Sequence, residues 1–260
     1  MPYATRGDTR ISYSDTGTGD PALIFSHGLL MDRSMFDPQV AAFRDRHRCL
    51  AWDERGHGAT EATDDFTYWD SAEDLVAVLD DAGVDRAVLV GMSQGGFLSL
   101  RTALLHPERV VGLFLIDSQA GTENPGALPV YEAMLAAWAQ NGLEDHVAEA
   151  IAAAIMGAFP ADEWKEKWRA RPIDQVRRAF HTLTTREDVT DRLGEIRVPA
   201  AVVHGDADAS IPLERARALA DGLPLCEGLT VIPGGGHASN LSHPNEVNRA
   251  LEAFLESLGS

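Results

Sequence analysis

The stretch Val88-Leu89-Val90-Gly91-Met92-Ser93-Gln94-Gly95-Gly96 passes from an apolar run directly into Gly-x-Ser-x-Gly. A short apolar run that stops at glycine reads as a buried strand. Phe97 to His106 then brings helix formers with apolar residues at helical spacing, so strand and helix meet with almost nothing between them. The turn is sharp, and Ser93 sits on it in a strained backbone conformation that lifts its hydroxyl clear of the sheet. Side chains two residues to either side would collide there, which accounts for Gly91 and Gly95. Ser93 is the candidate nucleophile.

The same rhythm extends outward in both directions. Ala22-Leu23-Ile24-Phe25, Arg48-Cys49-Leu50-Ala51-Trp52, Arg109 to Asp117, Val198 to His204 and Leu229 to Ile232 read as further strands. Helices are predicted over 34–44, 69–82, 213–221 and 245–258, and residues 2–16 alternate in strand fashion around Arg6-Gly7-Asp8. Almost wholly apolar strands alternating with helices imply a parallel α/β sheet covered on both faces. The rhythm breaks between 120 and 193, where helical stretches are separated only by Gly and Pro. The chain therefore divides into a core domain, 1–119 with 194–260, and a helical cap (lid) subdomain, 120–193. Ligands bind at the carboxyl ends of strands in such sheets, so a cap there would roof the pocket and exclude water.

Composition excludes several classes. A formal net charge of −18 opposes nucleic acid, whose phosphates call for a basic surface. No stretch approaches the roughly 20 consecutive apolar residues of a membrane span. The N-terminal residues lack an apolar signal region, so a cytoplasmic location is expected, with no membrane or nucleic-acid partner. Cys49 and Cys226 lie in apolar segments, read as small core residues, and form no Cys/His metal spacing. No cofactor and no metal are expected. Asp53-Glu54-Arg55-Gly56-His57-Gly58 lacks the Lys-Ser/Thr of a phosphate loop, and its carboxylates would repel phosphate. It reads as a structural turn in which Asp53 and Arg55 pair and His57 is satisfied within the fold.

A serine hydroxyl needs a base within hydrogen-bond reach. Of the nine histidines, only His237 follows a strand on a glycine-rich loop late in the chain, where an imidazole can reach over the sheet edge. The base in turn needs a carboxylate to fix its tautomer. Asp206 lies tight against the strand end and suits a turn cap. Asp208 lies further into the loop and is the better acid, with Asp117 as the alternative. His27-Gly28 ends another strand, leaving the backbone N–H of Leu29 to pair with that of Gln94 as oxyanion donors.

The order Ser93, Asp208, His237, together with the elbow and the strand-end placement, resembles the α/β-hydrolase family. The resemblance spans nearly the whole chain. It includes His27-Gly28, Asp53 to Gly58, Gly91 to Gly96, His106-Pro107-Glu108-Arg109-Val110, Gly205-Asp206-Ala207-Asp208 with Ile211-Pro212, and Gly236-His237. It is nearest to the capped esterases, the 3-oxoadipate enol-lactonase-like proteins and the cofactor-free haloperoxidases. The resemblance implies an eight-stranded, mostly parallel sheet with the cap inserted after strand six. It also implies hydrolysis of a carboxylic ester or lactone through an acyl-enzyme. Gln94 stands where many relatives have Met and is expected to line the pocket; Thr60 replaces a usual Ser. Serine in place of aspartate excludes a dehalogenase, and the only lysines, Lys165 and Lys167, lie in the cap rather than near the site.

Two other activities fit the same residues: perhydrolase or haloperoxidase chemistry, and slow-turnover ligand reception. The expected substrate is a small, apolar ester or lactone, contacted by Leu30 and Phe36 from the core and Met134, Trp138 and Trp164 from the cap. Arg33 reads as solvated, with carboxylate recognition as the alternative. A homodimer through the cap is compatible with the sequence, and nothing in it demands one.

Overall fold

The computed structural model describes residues 2–259. Its strands are β1 (Tyr3–Arg6), β2 (Thr9–Asp15), β3 (Ala22–Ser26), β4 (Cys49–Trp52), β5 (Ala87–Met92), β6 (Val110–Ile116), β7 (Ala200–Gly205) and β8 (Cys226–Ile232). They form one sheet in the order β1-β2-β4-β3-β5-β6-β7-β8. β1 and β2 pair antiparallel, as do β2 and β4, and every other neighbour is parallel. β5, which leads into Ser93, lies near the middle, between β3 and β6. Every residue of β3, β4 and β5 is buried. A strand with no exposed position must be covered on both faces, and the apolar runs in the sequence reflect that.

The helices are α1 (Asp37–Phe43), α2 (Tyr68–Asp81), α3 (Gln94–Leu105), α4 (Leu128–Asn141), α5 (Asp145–Met156), α6 (Asp162–Ala170), α7 (Ile173–Thr185), α8 (Leu213–Gly222), α9 (Ser239–Ser242) and α10 (Pro244–Leu258). α2 is started by Thr67, whose hydroxyl accepts the Asp70 N–H while the Asp70 carboxylate accepts the Thr67 N–H, a reciprocal cap. α10 buries Val247, Leu251, Phe254 and Leu255, the stripe its sequence presents, and Phe254 packs on Phe114 of β6 with ring centroids 6.0 Å apart. The four helices α4–α7 lie between β6 and β7, where the sequence placed its insertion.

Several local expectations change. The predicted helix 34–44 is a 3₁₀ turn, Arg33–Phe36, followed by α1, with Pro38 in the first turn of that helix. β8 begins at Cys226, three residues before the apolar run. It is the edge strand, with much of its surface exposed, and Cys226 is half-buried rather than a core residue. Asp53 does not pair with Arg55. It takes the Arg33 guanidinium and the backbone N–H groups of Arg33 and Ala59, at 2.9 Å each. A Cβ on Gly58 would lie 2.2 Å from the Asp53 carboxyl carbon, so glycine lets the loop close on that carboxylate. Arg33 is therefore a half-buried clamp between Asp53 and the Ser12 hydroxyl rather than a freely solvated residue. Arg55 reaches instead to Asp74 of α2, which is completely buried. Asp206 caps its turn as expected, accepting the Gly234 N–H at 2.7 Å.

Candidate active site

Among the described residues, three that are not glycine have φ in the left-handed region: Leu30 (63°), Ser93 (51°) and Asp117 (47°). Each follows the carboxyl end of a strand, β3, β5 or β6. Such conformations cost about 1–3 kcal/mol apiece and persist only where the surroundings dictate them. Around Ser93 those surroundings are explicit. Its N–H donates to Ile116 of β6 at 2.9 Å, and its carbonyl accepts the Ser118 hydroxyl at 2.9 Å and the N–H groups of Gly96 and Phe97. A Cβ on Gly91 would lie 2.3 Å from the Gly95 carbonyl oxygen, so the elbow closes only with hydrogen at that position.

His237 sits on the loop after β8, with Nε2 3.0 Å from Ser93 Oγ and Nδ1 2.8 Å from Asp208 Oδ2. The carboxylate only accepts, so Nδ1 carries the hydrogen and Nε2 faces the hydroxyl as an acceptor. Asp208 Oδ1 accepts the Ser210 and Ile211 N–H groups at 2.7 and 2.9 Å. Burial opposes its charge, but His237 and these amides outweigh it and hold the carboxyl below its usual range. Burial likewise opposes charge on His237, yet the hydrogen bond and charge of Asp208 prevail and raise the imidazole above its ordinary value.

Gln94 is the first residue of α3 and follows Ser93 directly, so its N–H has no acceptor within the helix. Gly28 approaches from β3: a Cβ there would be 2.6 Å from the Met92 sulfur and 3.7 Å from Ser93 Cβ. That approach brings Leu29 to the same edge. The Leu30 carbonyl is held from above by the Trp168 indole N–H of α6 at 2.8 Å. The Gln94 side chain does not line the pocket, contrary to expectation. It is buried beneath the turn, where its Oε1 accepts the Tyr68 hydroxyl at 3.2 Å. Glu54 lies nearby, fully buried, and burial pushes its carboxyl well above the usual range. His57 is held neutral by burial and donates through Nδ1 to the Arg55 carbonyl.

Ser93 and His237 open into a cavity of about 470 Å³. Leu30 and Met134 line it, as the sequence suggested, together with Leu29. Phe36, Trp138 and Trp164 do not. Phe36 is fully buried against Phe25, with ring centroids 5.1 Å apart, and the two tryptophans are only 4% and 7% exposed within the helical packing. Phe97, Ile151, Phe180 and Leu183 form apolar wall that was not anticipated. Phe180 and Leu183 belong to the buried stripe of α7, Val176-Phe180-Leu183, which is visible as a helical period. Glu123 also faces the cavity, and no sequence pattern pointed to it. It pairs with Arg186 at 2.7 Å and accepts the Tyr131 hydroxyl at 3.4 Å. Among the described residues, the lining contains no Lys or Arg.

The comparisons with known proteins agree with this architecture. Residues 21–244 match the model of the alpha/beta hydrolase fold family, and the chain belongs to that family. It is 31% identical to RutD of Variovorax paradoxus, which is named for carbamate hydrolysis, over 94% of this chain and 96% of that protein. It is 25% identical to 3-oxoadipate enol-lactonase 1 of Acinetobacter baylyi, over 92% and 90% of the two chains. Among solved structures, a thermophilic esterase from Thermogutta terrifontis superimposes with a TM-score of 0.88 at 26% identity, covering 99% of this chain and 97% of that one. No described helix is long and apolar enough to cross a membrane.

Proposed function

We propose that this protein is a serine hydrolase that cleaves small, neutral, apolar carboxylic esters or lactones through an acyl-enzyme. The observation that carries the reading is His237, whose two ring nitrogens reach Ser93 Oγ at 3.0 Å and Asp208 Oδ2 at 2.8 Å. Ser93 Oγ attacks the carbonyl carbon while His237 Nε2 takes its proton. The resulting oxyanion is held by the N–H groups of Leu29 and Gln94, a donor pair of which each member is worth about 3 kcal/mol in comparable sites. His237 then gives its proton to the departing alkoxide. Water, deprotonated by the same nitrogen, attacks the acyl carbon; the carboxylic acid leaves and Ser93 recovers its hydrogen. Asp208 stays ionised throughout and supports the transient imidazolium.

The cavity supports a neutral substrate. Its walls are apolar, and among the described residues the one carboxylate facing it, Glu123, disfavours a second even with Arg186 beside it. A carbamate anion, or an enol-lactone retaining an acid group, fits this lining less well than an uncharged acyl chain. The helices α4–α7 act in this reading as the cap.

The test is hydrolysis of a panel of p-nitrophenyl esters and uncharged lactones by the wild type and Ser93→Ala. Turnover that disappears in the variant supports the reading. Equal turnover by a folded Ser93→Ala protein would rule it out.

A further inference from the structure

Behind Ser93, His237 and Asp208 lies a second acid and imidazole that the reaction above leaves unused. Asp117, at the end of β6, is fully buried. Its Oδ1 accepts the Gly205 N–H and its Oδ2 the Ser239 N–H, both at 2.9 Å. Gly205 opens the turn that carries Asp208, and Ser239 follows His237 closely on its loop. One side chain on β6 thus fastens both loops to the sheet.

His204, on β7, is also fully buried. Its Nε2 lies 2.8 Å from the Ile211 carbonyl, and a carbonyl only accepts, so Nε2 carries the hydrogen. The same N–H faces Asp208 Oδ2 at 3.5 Å, the oxygen that His237 also addresses. The other nitrogen, Nδ1, has no hydrogen-bond partner and lies 3.8 Å from Asp117 Oδ1. With a neutral imidazole and an ionised carboxylate, two lone pairs would face each other where no solvent screens them. A single proton on the pair removes that repulsion, whether it rests on the carboxyl or on the ring. Burial acts in the required direction, pushing the Asp117 carboxyl up to about 6.

We propose that Asp117 and His204 hold one proton between them and act as positioning residues: Asp117 anchors the loops of Asp208 and His237, and His204 presents its N–H to Asp208. The catalytic consequence rests on the serine-hydrolase reading; the shared proton does not. The titratable groups facing the pair are His237 and Asp208, and Glu123 in turn faces His237. Asp117, His204 and Asp208 also bring one donor atom each within 4.8 Å of one another. A hydrogen on His204 Nε2 and amide donors on both carboxylates already fill that space, which favours a proton over a metal ion.

The experiment is two-bond ¹H–¹⁵N correlation NMR of the full-length chain with ¹⁵N-labelled histidine, titrated from about pH 4.5 to about pH 8.5. His204 Nε2 is expected to stay protonated, while its Nδ1 shift steps at the pH where the Asp117 carboxyl, raised by burial, gives up its proton. Asp117→Asn should abolish that step and lower the midpoint of His237. A flat His204 Nδ1 signal, or a step that persists in Asp117→Asn, overturns the pairing. If that variant fails to fold, His204 decides. His204→Phe should lower kcat about 10-fold to 100-fold with KM little changed, and His204→Gln, which keeps a donor at the Nε2 position, should restore most of it. Equal kcat in the Phe and Gln variants overturns the positioning role. A step at His204 in a protein whose Ser93 ignores a fluorophosphonate would instead sink the hydrolase reading and leave the pair intact.

Discussion

The Trp168 indole N–H donates to the Leu30 carbonyl at 2.8 Å, joining α6 to the loop that carries Leu29, one of the two proposed oxyanion donors. Trp168 is fully buried, and Leu30 has a positive φ, so the loop is held in an uncommon conformation by a contact from above. Trp168→Phe keeps an aromatic ring but leaves a buried carbonyl unpaired, a loss of about 1–3 kcal/mol. The expected outcome is a kcat roughly 10-fold lower, with little change in KM, because the donors matter most in the transition state. Steady-state kinetics on one good ester would decide; a change confined to KM would contradict it.

The elbow offers a sharper steric test. A Cβ on Gly95 would lie 1.9 Å from the Ser26 carbonyl oxygen, a backbone atom that cannot swing aside. Gly95→Ala must therefore separate α3 from β3, at a cost of about 3 kcal/mol or more. Gly194 has nothing within 4 Å of its Cβ position, so Gly194→Ala is the matched control. Urea denaturation should show a large loss for the first and almost none for the second.

These contacts also show what the sequence could and could not convey. The strands were legible because burial on both faces leaves an unbroken apolar run, as in β5. Ser93, Asp208 and His237 were legible because each follows a strand end in a segment with its own local signature. The pocket was not. Trp138 and Met134 sit on the same helix and share its apolar pattern, yet one is helix packing and the other lines the cavity. Periodicity distinguishes inside from outside, and a cavity wall counts as inside. The partner of Asp53 was missed because the carboxylate at that strand end faces the Arg33 turn, while Arg55 points away to α2. Likewise Gln94 shows its backbone to the site and its side chain to Tyr68.

In the proposed reaction His237 sets the pH dependence. Its raised pKa places the loss of its proton above the ordinary histidine value, about 6.5. Activity needs the neutral ring, so kcat/KM should rise with pH through a midpoint above that value. Asp208→Asn removes the cause of the increase, so the midpoint should fall, with a rate loss of about 10³–10⁴. The linked effect on stability has two limbs. The raised His237 contributes fully below its unfolded pKa, and that contribution fades as pH climbs through the folded one. The depressed Asp208 contributes above its unfolded pKa and is lost as pH falls through the folded one. Urea midpoints measured across pH should lose both dependences in Asp208→Asn.

Glu123 should govern charge selectivity. A lone carboxylate about 5–6 Å away would repel a substrate carboxylate by about 3 kcal/mol at an effective dielectric of 20, and the Arg186 guanidinium paired with Glu123 offsets about half of that. An ester whose acyl chain ends in a carboxylate should therefore react about 10-fold more slowly than its methyl-terminated counterpart. Glu123→Gln keeps a carbonyl to accept from Arg186 while removing the charge, and should recover about 10-fold for the acid without favouring the neutral ester. Paired kcat/KM values for the two esters measure this; a ratio unchanged by the substitution would assign the discrimination elsewhere.

Met134 and Trp138 separate pocket from packing on a single helix. Met134 is partly buried and faces the cavity, whereas Trp138 is 4% exposed and lies outside it. Met134→Trp adds bulk to the wall, so the preferred p-nitrophenyl ester should become shorter by a few carbons while stability changes little. Trp138→Leu removes a buried ring system. It should cost about 2–4 kcal/mol by urea denaturation and leave the order of chain-length preference as in the wild type. Were Trp138→Leu to reorder the ester series while Met134→Trp did not, the assignment of the cavity wall would have to be reversed.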